Sequence, residues 1–328
     1  MSTNMYEERR KKPPTLSHRA EFYSMRAVFA GLQKLPWDRA CAIGERLGAL
    51  GHWPLGIRRH VVERQIAAAF PDLGDTGVRQ IAEGSYRHLG RNAVEAAILP
   101  KLGKDGVLSL VDQVDGWEHV EAAMDRGIGG IMVGGHHGNW ELMGAYLAAR
   151  GLKPEVVVRG AANRLFEDYL NANREKLGLT VVHDTKAARS TVKAVRDGRF
   201  VAILADQGVL GLASSFVPFF GRPAKTARGF AVFALRLDAA VCFMDMLRLP
   251  NGRFRVVFQS IELEKSGDRD NDVDAMVARY SEILEKWVRQ YPSQYFWQHR
   301  RWRRQPAGTP PELRDPTLKD PSKWTPSK

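Results

Sequence analysis

Cysteine is nearly missing from this chain: Cys41 and Cys242 are the only two in 328 residues, and neither belongs to a ligand-spaced motif. That excludes a disulfide framework and a structural zinc site, and both thiols are expected to be buried. A membrane-spanning run is missing too. Crossing a bilayer takes roughly 18 uninterrupted apolar residues, and the apolar stretch Gly229 to Leu247 is broken by Arg236, Asp238 and Asp245. The N-terminus lacks the apolar core of a signal peptide, because Glu7, Glu8, Arg9, Arg10, Lys11 and Lys12 lead into prolines. A cytoplasmic-side location is the expectation. Internal repeats and low-complexity tracts of consequence are absent, which leaves an ordinary globular organisation.

Positive charge is in excess. Lys and Arg number 49 against 37 Asp and Glu, a formal net charge of +12. Such a chain favours an acidic partner: anionic lipid, an acidic carrier protein, a phosphorylated substrate or nucleic acid. No recognised nucleic-acid motif accompanies the charge, so no nucleic acid is expected among the partners. With 44% hydrophobic residues the chain can bury a large core. Between Phe22 and Trp53, apolar residues including Met25, Phe29, Leu32, Leu47 and Leu50 recur with arginines and lysines between them. That pattern fits a helix lying in a membrane interface and equally a helical hairpin packed on the domain.

Along the chain, residues 1–20 read as a flexible basic tail and 305–328 as a loosely ordered one, leaving a single domain over 21–304. Its first part, 21–126, is helical in pattern. From 127 to 304 strand-like and helix-like segments alternate. Strands are predicted near 129–134, 154–158, 179–183, 200–205, 239–246 and 253–261, and helices over 140–150, 163–177, 187–197, 226–237 and 271–291. The fold class is therefore α/β: a helical N-terminal region packed on a mixed, mostly parallel sheet flanked by helices, with its site at the carboxyl ends of the strands.

One junction carries candidate chemistry. Gly134-Gly135-His136-His137-Gly138-Asn139-Trp140-Glu141 lies between an apolar strand and an amphipathic helix, where free backbone donors gather at the helix start. On one continuous helix His136 and Glu141 would point well apart. With His136 in the loop they converge, and a carboxylate-oriented imidazole can take a proton from an alcohol. No Ser or Cys in the motif offers a nucleophile, so direct transfer without a covalent intermediate is expected. A histidine that merely caps the helix fits the same spacing, and His137 beside it blurs the assignment. The metal pattern of two histidines one helical turn apart around a glutamate is missing, so no metal is expected.

Five ordered segments resemble the lysophospholipid and lipid A biosynthesis acyltransferases. His136 to Glu141 matches that family's histidine, four residues, then Asp or Glu. Val157-Val158-Arg159 with Asn163 matches an Arg-to-Asn segment, and Leu204-Ala205-Asp206-Gln207 a strand end. Phe216 to Thr226, containing Phe219-Phe220-Gly221, matches a Phe-Phe-Gly loop, and Tyr295 to Trp302 a Trp-x-His-Arg-Arg signature. The likeness spans about residues 55 to 304. It departs at Arg64-Gln65, where the family often carries Asn after the Arg, and in lacking a clear N-terminal spanning helix.

The resemblance implies a glycerolipid-acyltransferase-like fold and an O-acyltransferase that moves a fatty acyl chain from an acyl carrier protein or coenzyme A thioester to a glycolipid hydroxyl, such as that of a lipid A precursor. His136 would be the base and Glu141 its orienting partner. Arg159, Asn139, Asn163, Asp206, Gln207, Phe219 and Phe220 would bind substrate, with Arg159 on a phosphate or the oxyanion and the phenylalanines along the acyl channel. No cofactor is implied beyond the thioester co-substrate. The place implied is the cytoplasmic face of the inner membrane, held peripherally through its anionic surface. Trp297, His299, Arg300, Arg301, Trp302, Arg303 and Arg304 would suit that surface or an acidic carrier protein. The alternatives are another glycolipid or a lysophospholipid as acceptor, and, in a different class, a non-enzymatic basic adaptor.

Overall fold

The structure, a computed structural model, describes residues 13–208, 213–262 and 265–327. Of the expected basic tail, residues 1–12 lie outside the described ones, and a helix begins at Leu16 behind the hydroxyl cap of Thr15. The front half is built from α1 (Leu16–Leu32), α2 (Trp37–His52), α3 (Arg59–Ala69), α4 (Asp75–Ile98) and α5 (Gly103–Ser109). Helices α2 and α4 touch backbone to backbone because glycines face each other. A Cβ on Gly90 would lie 2.3 Å from the Gly44 carbonyl oxygen, and one on Gly48 would lie 2.2 Å from that of Tyr86. Leu32, Ala40 and Cys41 are buried there against Val94 and Ile98. Leu47, Leu50, Trp53, Leu55 and Ile57 instead remain exposed. The segment between Phe22 and Trp53 is thus a packed hairpin on one side and an apolar surface on the other.

The second half alternates as expected. It runs β1 (Val111–Asp115), α6 (Trp117–Asp125), β2 (Ile131–Gly134), α7 (Trp140–Ala149), β3 (Glu155–Val158), α8 (Arg164–Lys176), β4 (Thr180–His183), α9 (Ala187–Arg196) and β5 (Val201–Leu204). Then come β6 (Ser214–Phe219), β7 (Arg222–Ala227), α10 (Gly229–Leu237), β8 (Val241–Arg248), β9 (Phe254–Ser260) and α11 (Arg269–Gln290). Seven strands form one sheet in the order β1-β9-β8-β2-β5-β3-β4, parallel at every pairing but β8 with β9. Both faces are covered. Ile131 and Val133 of β2 point toward α11, while Met132 points toward α7, the period-two alternation of a strand buried on both sides.

Three segments differ from the sequence expectation. Strand β1 lies inside the region read as helical; Asp112, Gln113 and Asp115 make it polar, as suits an edge. Strands β6 and β7 form a separate antiparallel hairpin closed by Phe220 and Gly221, at φ of 51° and 69°. Two successive positive φ values make the tight hairpin turn whose twist matches its strands. Finally, residues 305–327 are not loose: Gln305, Thr309, Asp315 and Thr317 are buried, and Asp315 binds Arg300 at 2.5 Å. Among the described residues no helix is long and apolar enough to cross a membrane.

Candidate active site

Strand register assembles the centre. Parallel strands β2 and β5 pair Gly134 with Leu204, so the residues two beyond each, His136 and Asp206, leave the sheet side by side. The His136 Nδ1 lies 2.7 Å from Asp206 Oδ1. A carboxylate only accepts, so Nδ1 carries the proton and Nε2 keeps the lone pair of a base. Asp206 is 2% exposed and His136 23% at the side chain, an anchored acid under an accessible ring. Burial alone would raise the Asp206 pKa. The charge of the His136 ring, its hydrogen bond and the nearby Arg301 outweigh burial and hold it down at about 2.

Glu141 does something other than expected. Its carboxylate is bound through both oxygens by Arg174 of α8, Nε to Oε2 at 3.0 Å and Nη2 to Oε1 at 2.5 Å. The ring partner of His136 is therefore Asp206, and Glu141 is one half of a forked ion pair. The cause is geometric: Glu141 sits in the first turn of α7, pointing toward α8 across the cavity, whereas Asp206 shares the strand-end level of His136. Both carboxylates nonetheless belong to one place. His136, Glu141, Arg174, Arg159 and Gln207 line a cavity of 380 Å³ whose other walls are mainly apolar, with Trp140, Val156, Val157, Leu170, Leu179, Ile203 and Met244 among them. Arg159 does not reach Asp206; register places it beside Asp184, 3.8 Å away. A wider groove of 950 Å³ between α8 and α9 shares Val158, Glu167 and Asn171 with the cavity but not the dyad.

The neighbour His137 has an opposite environment. Its Nδ1 faces Asp245 at 2.5 Å and its Nε2 the Tyr291 carbonyl at 3.1 Å. Both partners only accept, so the buried ring holds two protons and cannot act as a base. Burial would lower its pKa; the Asp245 carboxylate overcomes this and raises it. A raised folded-state pKa gives stability that is complete below the ordinary histidine value of about 6.5 and is lost as pH rises through the folded value. Urea unfolding should therefore show wild-type stability declining above neutrality and His137→Asn flattening that decline. Equal slopes for the two proteins would refute the imidazolium.

Behind the loop lies a polar network. Asn139 caps α7 through Leu142 N and donates to Glu95 at 2.6 Å; Arg248 grips the same Glu95 with two bonds of 2.6 Å. Asn92 donates to the Gly138 carbonyl at 2.7 Å. A Cβ at Gly138 would meet the Met246 carbonyl oxygen at 2.1 Å, and its φ is +56°, so glycine alone fits. Asn139 is thus a structural residue, 1% exposed, rather than a substrate ligand.

A sequence profile of the bacterial lipid A biosynthesis acyltransferases matches residues 9–304. The chain belongs to that family. It is 24% identical over 276 residues to the lipid A biosynthesis palmitoleoyltransferase of Escherichia coli (strain K12), covering 84% of this chain and 88% of the relative. To a lipid A biosynthesis acyltransferase of Haemophilus influenzae it is 25% identical over 293 residues, 88% of this chain and 92% of the relative. A phosphatidylinositol mannoside acyltransferase of Mycobacterium tuberculosis matches at 28% over 163 residues, 48% of this chain and 51% of the relative.

In this acyltransferase the C-terminal signature is internal scaffolding. Trp297 and Trp302 are fully buried, and the buried Arg301 donates to the Lys225 carbonyl and Thr226 Oγ1, each at 2.6 Å. The segment just before it pairs with the histidine loop: Phe296 N donates to the His136 carbonyl at 2.9 Å, and Gly138 N to that of Gln294 at 3.2 Å. Gln65, where the sequence departs from the family pattern, is fully buried and clasps this segment, donating to the Trp297 and His299 carbonyls and accepting from Arg301 N. Phe219 and Phe220 pack in the core with Trp302 and Trp297 and are absent from the cavity wall. Asn163 caps α8 and ties it to His18 and Glu21 of α1, so it too is structural. Sequence reading missed Arg174, Glu95 and Arg248, ordinary helix and strand residues with no local signature. Asp206 does carry a sequence signal: it stands just past a predicted strand end, as His136 does.

Proposed function

We propose that this acyltransferase moves a fatty acyl chain directly from a thioester donor to a hydroxyl of a glycolipid such as a lipid A precursor. The observation that carries the reading is a His136–Asp206 pair with a free Nε2 opening onto a largely apolar cavity. His136 takes the proton of the acceptor hydroxyl, and Asp206 stabilises the imidazolium that forms. The oxygen attacks the thioester carbonyl; the tetrahedral intermediate collapses, breaking the carbon–sulfur bond, and the departing thiolate takes the proton back from His136. Arg159 on the cavity wall stands ready for anionic oxygen. Direct transfer is supported by the cavity wall, which contains no Ser, Thr or Cys among its described residues. Cys242 is moreover buried, and burial pushes its thiol up to about 12, far from a thiolate at neutral pH.

The donor fits an acyl group on an acidic carrier protein, given the net charge of +12. Association with the cytoplasmic face of the inner membrane is supported by the apolar surface of Leu47, Leu50, Trp53, Leu55 and Ile57, with Arg46, Arg58 and Arg59 beside it in the chain. The partial match to phosphatidylinositol mannoside acyltransferases keeps another glycolipid as the second reading of the acceptor. One assay tests these points together. The purified protein is offered acyl carrier protein and coenzyme A thioesters with a lipid A precursor, a mannosylated phosphoinositide and a lysophospholipid in parallel. Ester formation on the lipid A precursor from the carrier-protein donor is the expected result, exclusive transfer to the mannolipid would replace the acceptor, and no transfer from either donor would overturn the reading.

A further inference from the structure

One stripe of α4 is polar where a helix ordinarily turns apolar residues to its domain. Ser85, His88, Asn92 and Glu95 recur every three or four residues and so share a face, and Ser85, Asn92 and Glu95 are buried. The two ends of the stripe each hold a chain segment at the carboxyl edge of the sheet. Ser85 donates to the Tyr295 carbonyl at 3.0 Å, and Glu95 accepts from Asn139 and Arg248. The two middle members converge on a single atom. His88 Nε2 lies 2.9 Å and Asn92 Nδ2 2.7 Å from the Gly138 carbonyl oxygen, two residues past His136.

Both side chains are donors there. A carbonyl only accepts, so His88 carries its proton on Nε2. Arg248 Nη2 donates to Asn92 Oδ1 at 2.9 Å, and a guanidinium only donates, so the amide is turned with Nδ2 toward Gly138. The other end of the same peptide unit is held as well, since Asn139 N donates to the Met246 carbonyl at 2.8 Å. One hydrogen bond would satisfy the Gly138 carbonyl; two side-chain donors from another element fix where it lies. The ring nitrogens of His136 have one protein anchor, Asp206 Oδ1 at 2.7 Å, so the placement of the ring depends on the backbone that carries it. We infer that His88 and Asn92 are positioning residues, which hold the loop by its Gly138 carbonyl and thereby keep the His136 ring in line with Asp206. The bonds this loop makes with Phe296, Gln294 and Met246 are backbone to backbone. The α4 donors are therefore the part that a substitution can remove while that pairing stays.

The catalytic consequence deepens the acyl-transfer reading and rests on it, whereas the placement of the ring is measured without turnover. His88→Leu and His88→Gln separate the donor from the bulk, because glutamine keeps an N–H for Gly138 and leucine has none; Asn92→Leu removes the second donor. In the full-length protein, His88→Leu/Asn92→Leu is expected to lower kcat per folded molecule by about 10²-fold, the cost of roughly 1 Å of misplacement, with both substrate KM values little changed. His88→Gln should keep most of the wild-type turnover. Nitrogen-15 NMR of the histidine-labelled protein, with the His136 signals identified by their loss in His136→Asn, reads the ring directly. Wild type is expected to show the proton on Nδ1, and the double variant a mixture of both tautomers, since a ring out of line with Asp206 no longer has its proton fixed. A lowered thermal midpoint with kcat per folded molecule and tautomer both unchanged would overturn the assignment and leave His88 and Asn92 merely structural. If the double variant does not fold, the single variants decide: His88→Leu matching His88→Gln in turnover and tautomer overturns it equally. A tautomer shift in the variant, in a protein that transfers no acyl group at all, would retain the positioning role and reject the acyl-transfer reading.

Discussion

His136→Ala is expected to reduce kcat by about 10²–10⁴-fold, the usual contribution of a positioned general base, while the protein still folds. The ring is 23% exposed at the side chain and its nitrogens have one protein partner, Asp206, so its removal leaves a small, water-accessible space rather than a core cavity. The exposed cost is the Asp206 carboxylate left without its donor, about 1–3 kcal/mol. His136→Asn, which offers an amide donor in the same direction, should restore that stability without restoring turnover. Release of free thiol from the acyl donor, followed beside the thermal midpoint of each variant, measures both. An alanine variant within threefold of wild-type turnover would remove His136 from the chemistry.

Asp206→Asn should cost nearly as much, and for a different reason. An asparagine amide turned toward Nδ1 donates a hydrogen bond where the carboxylate accepts one, which moves the ring proton to Nε2 and occupies the lone pair that the acceptor hydroxyl needs. Wrong-tautomer substitutions of this type lower kcat by up to about 10⁴-fold with little change in structure. Glu141→Gln keeps the dyad and loses only charge toward Arg174, so its loss should be at least tenfold smaller; the reverse ranking would return Glu141 to the orienting role. The same shift decides what acid does to Asp206. With its pKa held at about 2, Asp206 stabilises the fold fully above the ordinary carboxylate range and loses that contribution only as pH falls through about 2. Activity lost near neutrality on acidification therefore does not come from this carboxylate.

Elements set by local pattern were legible in the sequence, and pairings set by register were less so. The strands from β2 to β5 and β8 to β9 match predicted segments within a few residues, because apolar runs bounded by glycine and charge announce them. Strand β1 was hidden by its three polar residues, and the β6–β7 hairpin by a turn that places a phenylalanine at positive φ, where glycine or asparagine is the usual signal. In the site, His136 was found from its motif, yet its carboxylate partner was sought five residues away and lies 70 away. Sequence spacing ranks near neighbours first, but in a parallel sheet the strand ends bring distant positions to one level. At Asn139 and Asn163 the sequence does not separate two roles, since a helix cap and a ligand contact call on the same side-chain oxygen.

The clasp of Gln65 on residues 297–301 joins parts of the chain separated by most of its length, and the pairing of 294–296 with the histidine loop joins parts separated by nearly half of it. During synthesis the front helices and the central strands leave the ribosome long before that closing segment exists. The loop bearing His136 is therefore assembled last, and the nascent chain exposes its apolar N-terminal surface while still without a finished catalytic centre. Order of synthesis alone thus separates the two events: the apolar N-terminal surface is complete before the chemistry begins.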